Sequence, residues 1–122
     1  MVYIEEFSHS GRDFIYISLP RFSTRDELRH ALKTIGRAME KYAENSLYAI
    51  LNIENLIFDT KTITLTAKYM KYSKPYVKYE AVIGIDGVKK TLFVSMLRMS
   101  ERDNMCFAFT KEQAIELLLQ QQ

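Results

Sequence analysis

Seven residues from Leu47 to Ile53 form an almost unbroken apolar run, interrupted only by Asn52. A strand that is apolar on both sides has to be covered on both faces, which is typical of the central strands of parallel sheets. The run therefore predicts a central strand, and the fold around it must supply a layer of structure on each face of the sheet.

Strand-like segments alternate with segments of helical periodicity along the rest of the chain. An N-terminal hairpin is predicted from two strands that flank a turn-rich segment, and the predicted order is β-β-α-β-α-β-α-β-α. The predicted strands are residues 2–7, 14–19, 47–53, 79–85 and 105–109. The predicted helices are residues 23–44, 61–73, 88–100 and 110–119. This alternation favours an α/β fold with a mostly parallel sheet of about five strands and right-handed crossovers.

Short motifs mark the ends and the inner faces of these helices. Thr24 with Glu27, and Thr110 with Gln113, have the spacing of capping boxes and predict two helix starts. In the third predicted helix, three apolar residues recur at helical spacing, which predicts that they form the inner side of that helix. The residues of that side are Leu92, Met96 and Met99.

Length and composition indicate one ordinary globular domain. The chain has 122 residues, of which 48% are apolar and 26% are charged, so we expect a single domain over residues 1–122. Its one cysteine, Cys106, excludes an internal disulfide. The N-terminus lacks the pattern of a signal peptide, and the apolar runs are far shorter than the ~20 residues that span a bilayer. We therefore expect a cytoplasmic protein and not an integral membrane protein.

Charge is unevenly distributed although the net charge is only +2. Residues 61–102 contain nine Lys or Arg and three Asp or Glu, a local net charge of +6, whereas the segments on either side are each −2. A locally basic segment favours an acidic partner.

The segment from Gly84 to Lys90 follows a predicted strand and opens a predicted helix. Backbone N–H groups and the helix dipole favour an anion at such a turn, and its two lysines add positive charge. Its glycine spacing is that of neither a P-loop nor a dinucleotide-binding loop. Two interpretations stay open, an anion or ligand site and a tight turn with solvated lysines. The candidate ligand-binding residues are Gly84, Asp86, Gly87, Lys89 and Lys90.

Lysines and tyrosines are interleaved between Lys68 and Tyr79. Such a run can contact nucleic acid, an acidic protein or an anionic membrane surface, and it is also typical of tyrosines that cover a sheet beside solvated lysines. Nucleic acid is not expected, because a net charge of +2 is low for that function. The residues of this basic-aromatic surface are Lys68, Lys71, Tyr72, Lys74, Tyr76 and Lys78.

Residues 74–90 resemble the SpoIIAA-like family, which is related to STAS and Sec14 domains. In that family a KPYVKK-type run leads into a strand and a G-x-x-G-[LV]-K-K turn. The matching segments here are Lys74-Pro75-Tyr76-Val77-Lys78 and Ala81-Val82-Ile83-Gly84-Ile85-Asp86-Gly87-Val88-Lys89-Lys90. The resemblance is close over residues 74–119. Before residue 74 it rests mainly on the order of the strands and helices. It implies a sheet of four to five strands surrounded by helices, a bacterial source and no catalytic site.

The resemblance also implies where a phosphorylation switch would lie. STAS-type antagonists carry an Asp-Ser-Ser-Gly-type segment at the start of the helix after the central strand. Asp59 matches its aspartate and Thr60 its first serine, but Lys61 stands where the modified serine would be. Thr60 or Thr62 could take that role, and the alternative interpretation is that Thr60 caps the helix.

Neither a catalytic centre nor a metal site is indicated by the sequence. His9 and His30 have no third ligand at a suitable spacing, and no G-x-S-x-G motif is present. We therefore expect no enzyme activity, no cofactor and no metal.

Two functions from different classes remain. The first is a regulatory protein-interaction module, in homodimeric form, whose partner surface is the second helix with the 84–90 turn. The second is a carrier or sensor for a lipid or another apolar anion. In that alternative Lys89 and Lys90 would bind the headgroup, and Phe93 and Met96 would contact the tail.

Overall fold

Nine elements follow one another along residues 2–121, the part of the chain that the computed structural model describes. The strands are β1 (Tyr3–His9), β2 (Arg12–Ser18), β3 (Leu47–Asn52), β4 (Val77–Ile83) and β5 (Met105–Phe107). The helices are α1 (Arg25–Met39), α2 (Thr60–Ser73), α3 (Gly87–Ser100) and α4 (Lys111–Leu119). The predicted order of strands and helices is confirmed.

The five strands form one sheet in the order β1-β2-β3-β4-β5. The β1–β2 pair is antiparallel, and every later neighbour pair is parallel. Ser10 and Gly11 form the two-residue hairpin turn with φ values of 52° and 75°, which is the backbone of a type I′ turn. The predicted hairpin and the mostly parallel sheet are both confirmed.

Helices cover the two faces of the sheet unequally. Ile15, Leu51 and Val82 point to one face, where they pack against α1, α2 and α3. Ile50 and Ala81 point to the other face, where they pack against α4. Residues 47–51 of β3 are buried, as expected for a central strand that is apolar on both sides.

Both threonines of the predicted capping boxes cap their helices. The Thr24 hydroxyl accepts a hydrogen bond from the Glu27 backbone N–H at 3.1 Å, and the Thr110 hydroxyl accepts one from the Gln113 N–H at 3.0 Å. The Gln113 side chain also accepts a bond from the Phe109 N–H at 2.7 Å. These contacts satisfy N–H groups that have no partner inside the helix, so they fix where α1 and α4 begin.

The structure corrects three details of the sequence prediction. The first helix ends at Met39 rather than near residue 44, and the chain then turns, with the Tyr42 N–H donating to the Met39 carbonyl at 3.0 Å and the Tyr42 hydroxyl donating to Glu6 on β1 at 2.6 Å. The last strand stops at Phe107 because the next residues form the cap of α4. Met99 was expected on the inner side of α3 but is 58% exposed, since Phe93 and Met96 define that inner side.

A buried ion pair lies between the sheet and α2. The Arg102 guanidinium donates to Glu80 Oε1 at 3.0 Å, and both side chains have no exposed surface. Arg102 also donates to the Met70 carbonyl and to the Ser73 hydroxyl, so it ties β4 to the C-terminal end of α2. Glu80 Oε2 has no partner within the described residues, and burial raises the pKa of the Glu80 carboxyl. No sequence pattern indicated this pair.

Candidate binding surfaces

The 84–90 turn brings two loops into close contact. Gly84 has a φ of +78°, and a Cβ atom there would lie 2.6 Å from the Glu54 backbone nitrogen and 2.8 Å from Asn52 Oδ1. Only glycine fits both the backbone conformation and the space. The turn therefore packs directly on the loop that follows β3, at the carboxyl edge of the sheet.

The two lysines of the turn point to different places. Lys89 Nζ donates to the Ile53 and Glu54 carbonyls at 3.2 and 3.1 Å and lies 5.8 Å from the centre of the Phe58 ring. Lys90 Nζ instead lies 4.8 Å from the centre of the Phe107 ring. The geometry does not bring the two ammonium groups together around one anion.

Asp86 and Gly87 form the start of α3. Asp86 occupies the N-cap position, but its side chain makes no capping hydrogen bond. Gly87 is the first helical residue, with a φ of +50° and open space around its Cβ position. The predicted ligand-binding residues thus adjoin one another along the chain, and whether they bind a ligand stays a prediction.

A cleft of about 600 Å³ opens beside this turn, at the carboxyl ends of the parallel strands. We call it the carboxyl-edge cleft. The charged side chains among its lining residues are Glu54, Asp86, Lys89 and Lys111, so their charges balance. Lys111 is already engaged, because it donates to Glu5 at 2.6 Å, and this bond raises the pKa of Lys111.

The segment that corresponds to a STAS phosphorylation site forms the start of α2. Asp59 is the N-cap residue, and its carboxylate accepts a 2.8 Å hydrogen bond from the Thr62 N–H, which lowers the pKa of Asp59. Thr60 is the exposed first residue of the helix, so the interpretation of Thr60 as the cap was wrong. The Asp59 carboxylate reaches the free N–H groups from the N-cap position, where aspartate is strongly favoured. Phosphorylation of Thr60 or Thr62 stays a prediction.

The basic-aromatic residues do not share one surface. Tyr72 lies on the side of α2 that faces α1, whereas Lys74 lies toward α3 and donates to the Glu101 carbonyl at 2.9 Å. Lys68 is exposed on α2. Lys71 is exposed on α2, Tyr76 lies in the connection to β4, and Lys78 lies on β4 itself. The Tyr72 and Tyr76 rings lie 6.2 Å apart between their centres, whereas Lys78 lines a separate surface beside Arg12. Whether these six residues bind a partner stays a prediction.

Sequence reasoning missed a groove between α1 and α2, which we call the α1–α2 groove. It has a volume of about 280 Å³. Gly36 of α1 is buried, and the Tyr72 ring lies against it, since a Cβ there would be 2.9 Å from a ring carbon. The Tyr72 hydroxyl donates to Glu40, and this bond raises the pKa of Tyr72 to about 12. The apolar lining residues are Leu32, Gly36, Leu65, Tyr69 and Tyr72.

A row of cations lies along the α1 side of this groove and of its continuation toward the helix N-termini. Its members recur every four residues, a spacing that places them along one ridge of a helix. They are Arg25, Arg29, Lys33 and Arg37. That spacing is visible in the sequence and was the signal that could have identified the groove.

One flank of α3, next to the buried Phe93 and Met96, carries a second exposed apolar feature, which we call the α3 apolar stripe. Val88, Leu92 and Met99 recur at helical spacing on this side, and Val88 and Met99 are 77% and 58% exposed. Isolated exposed apolar residues are ordinary, but a stripe of them beside a second helix is a feature of interaction surfaces.

Residues 2–121 were predicted to hold no metal site and one unreactive cysteine. Within that range no group of three His, Cys, Asp or Glu side chains is placed to hold a metal ion. Cys106 is half-buried, and burial raises the pKa of its thiol, which disfavours the reactive thiolate. None of the described helices is both long enough and apolar enough to cross a bilayer.

Comparison with known proteins shows a fold and no close relative. No family profile and no curated protein matches the sequence. An uncharacterised protein of the DUF3478 family from Shewanella loihica PV-4, described as having a SpoIIAA-like fold, superposes with a TM-score of 0.73. It is 13% identical, and the alignment covers 96% of this chain and 93% of that one.

Two further structures are described as antagonists of anti-sigma factors. The anti-sigma factor antagonist SpoIIAA in its unphosphorylated form is 15% identical, with a TM-score of 0.55 over 97% of this chain and 99% of that one. An anti-sigma-factor antagonist (STAS) domain protein from Planctomyces limnophilus is 18% identical, with a TM-score of 0.58 over 95% and 97%. Identities this low establish the fold alone. The chain has the SpoIIAA-like fold that its 74–90 segment predicted.

Proposed function

We propose that this protein is a non-catalytic regulatory module that binds a protein partner through α2 and the α3 apolar stripe. The observation that carries this proposal is the exposure of Val88 and Met99 on a helix whose inner side is fully packed. Burial of such side chains at an interface releases ~25 cal/mol per Å² of apolar surface. The fold supports a regulatory role, because two of the similar structures are described as anti-sigma-factor antagonists.

Charge on α2 supports an acidic partner for this surface. Ile63 and Ala67 are half-buried and continue the apolar surface across to α2. Lys71 and Lys74 are exposed on the same helix or just beyond it. An apolar centre with a polar, charged rim is the usual anatomy of a protein–protein interface.

Tight packing beneath α3 supports this function over a lipid carrier. Phe93 and Met96 have no exposed surface and belong to the main hydrophobic core. An apolar tail would need an open cavity beside them, because ligand pockets bury most of the ligand surface.

The experiment is affinity capture from cells of the source organism with the wild-type protein and with Val88→Glu/Met99→Glu. Two glutamates on the α3 apolar stripe should remove most of the captured partner, because burial of an unpaired charge is costly. Phe109→Glu is the matched control, since Phe109 is 89% exposed but lies at the carboxyl-edge cleft. Capture that is unchanged by the double substitution and lost with Phe109→Glu would refute the proposed surface.

A second candidate function is small-molecule binding in the carboxyl-edge cleft. Its volume of about 600 Å³ and its position at the carboxyl ends of the strands favour this candidate. Balanced charges on its lining residues suit a neutral or zwitterionic ligand better than the apolar anion that the sequence indicated.

Native mass spectrometry of the protein as purified from cells distinguishes the two candidates. A non-covalent adduct of small-molecule mass that is lost with Phe109→Glu would favour the cleft. A mass without adduct would favour the protein-interaction module. The same spectrum tests the predicted homodimer, since it gives the mass of the assembly directly.

A further inference from the structure

We propose that the α1–α2 groove binds an acidic amphipathic helix of a partner protein. The inference rests on the proposed function as a protein-interaction module, but it assigns a second surface, on the opposite side of α2 from the α3 apolar stripe. Leu32 and Leu65 provide apolar walls from the two helices, and the Tyr69 ring lies beneath them. The Tyr72 ring, held against Gly36 and bonded to Glu40, closes one end of the groove.

The charges of the lining residues indicate which kind of partner fits this groove. Arg29, Lys33 and Arg37 line it from α1, and Lys61 of α2 lines its continuation. Glu40 and Asp59 are the carboxylates among these lining residues, and Arg29 also pairs with the exposed Asp26 at 3.0 Å. Five cations line the groove and its continuation, so they outnumber the carboxylates even when Asp26 is counted. The net charge offered to a partner is positive, which is complementary to an acidic segment.

Shape indicates a helix rather than an extended strand. The two helices follow parallel strands of one sheet, so they run in the same direction and leave a straight groove between them. The α2 side of the groove and its continuation runs from Asp59 to Tyr72, which is about 20 Å at 1.5 Å per residue and suits between three and four turns of a partner helix. Cations spaced every four residues match carboxylates spaced every three or four on such a helix. An extended segment would instead pair with a sheet edge such as β1.

The apolar floor favours a protein over nucleic acid. Single-stranded nucleic acid needs several exposed aromatic faces on which successive bases can stack. Of the two rings that line the groove, Tyr69 is only 4% exposed, and Tyr72, which is 46% exposed, lies against Gly36. Leu32 and Leu65 offer contacts that an apolar helix face can bury and a phosphate backbone cannot.

The test is fluorescence anisotropy with the purified full chain and a labelled 18-residue peptide. The peptide has leucines at helical spacing flanked by glutamates, and its scrambled sequence serves as the control probe. We expect the amphipathic peptide to bind at least ~10-fold more tightly than the scrambled one, with affinity that falls as salt rises. Lys33→Glu/Arg37→Glu should weaken binding at least ~10-fold, and both residues are exposed, so the fold should be retained.

Matched controls assign the binding to this groove. Arg37→Glu is compared with Arg98→Glu, which makes the same charge change on the exposed side of α3. Only the former should weaken binding. Absence of binding, equal affinity for the scrambled peptide, or equal effects of the two substitutions would overturn the inference. Tighter binding of an oligothymidine than of the peptide would also overturn it, in favour of nucleic acid.

A failure of the groove inference can be distinguished from a failure of the proposed function. Peptide binding that is lost with Val88→Glu/Met99→Glu but not with Lys33→Glu/Arg37→Glu would place the partner on the α3 apolar stripe and refute the groove. If the peptide does not bind but capture from cells depends on the α3 apolar stripe, the groove inference fails and the proposed function stands.

Discussion

The Glu80–Arg102 pair shows how one buried charge can depend on a single partner. Glu80 lies on β4 in the layer that faces α2, and its carboxyl has no contact with solvent. Among the described contacts, Arg102 gives the Glu80 carboxylate its only hydrogen bond and satisfies two further acceptors on α2. Buried pairs of this kind add little net stability but are costly to break, because the remaining charge is left without compensation.

Substitution of Arg102 by Met should destabilise the protein by about 3–5 kcal/mol at neutral pH. Burial raises the pKa of Glu80, and loss of the guanidinium should raise it further. An acid whose pKa is higher in the folded chain stabilises the fold fully below its unfolded pKa of ~4.3, and this contribution is lost as pH rises through the folded pKa. The loss in free energy of unfolding caused by Arg102→Met should therefore be largest at neutral pH and should shrink toward pH 4. Urea unfolding of both proteins measures this loss.

The double substitution Glu80→Gln/Arg102→Met provides the control. It removes both charges, so it should recover part of the lost stability and should lack the pH dependence of Arg102→Met. If Arg102→Met lowers the free energy of unfolding by the same amount at pH 4 and at pH 7, the role assigned to the Glu80 charge is contradicted.

The helices differ in how their N-termini are satisfied. Thr24, Asp59 and Thr110 each accept a backbone hydrogen bond at the N-cap position of α1, α2 and α4. Asp86 occupies the same position in α3 but makes no such bond. The contribution of each N-cap side chain to the free energy of unfolding should therefore depend on whether it makes this hydrogen bond, and not on its residue type alone.

Replacement of a bonded cap should cost more than replacement of an unbonded one. Thr24→Ala and Thr110→Ala should each lower the free energy of unfolding by about 1 kcal/mol, because each leaves a helix N–H without its partner. Asp86→Ala should change it by only a few tenths of a kcal/mol. Chemical denaturation with a common slope measures all three, and an equal loss for Asp86→Ala would show that its carboxylate caps α3 in solution.

Elements with a local signal could be predicted from the sequence, and their packing contacts could not. The Leu47–Ile53 run predicted β3, and the two capping boxes predicted where α1 and α4 begin. No local pattern marked the end of α1 at Met39. The chain turns there, and Tyr42 contacts Glu6, which is 36 residues away in the sequence. Met99 was misplaced because helical spacing gives a set of faces and only tertiary packing decides which one is inner.

At the scale of the whole molecule, three helices cover one face of the sheet and one short helix covers the other. The sequence predicted the residues of the 84–90 turn, but not that Lys89 and Lys90 diverge, because side-chain direction depends on the neighbouring loop and β5. The four-residue spacing of the cations on α1 is visible in the sequence, but the groove they line is not, because it exists only once the crossovers place α1 and α2 side by side.

The unequal cover predicts an unequal stability of the two layers. The nine-residue helix α4 is held partly by Arg12, whose guanidinium donates to the carbonyls of Leu118, Leu119 and Gln121 at 2.8–3.0 Å. Central β3 has partners on both sides and cover on both faces. Local opening should therefore cost less free energy in α4 than in β3.

Hydrogen exchange followed by mass spectrometry tests this ordering. Amides of β3 should exchange only by global unfolding, whereas those of α4 should exchange earlier. Arg12→Ala should accelerate exchange in α4 by removing the three bonds to its C-terminal carbonyls and should affect β3 only through the small loss of global stability. If α4 and β3 exchange together in both proteins, the layers unfold as one cooperative unit and Arg12 does not control α4 separately.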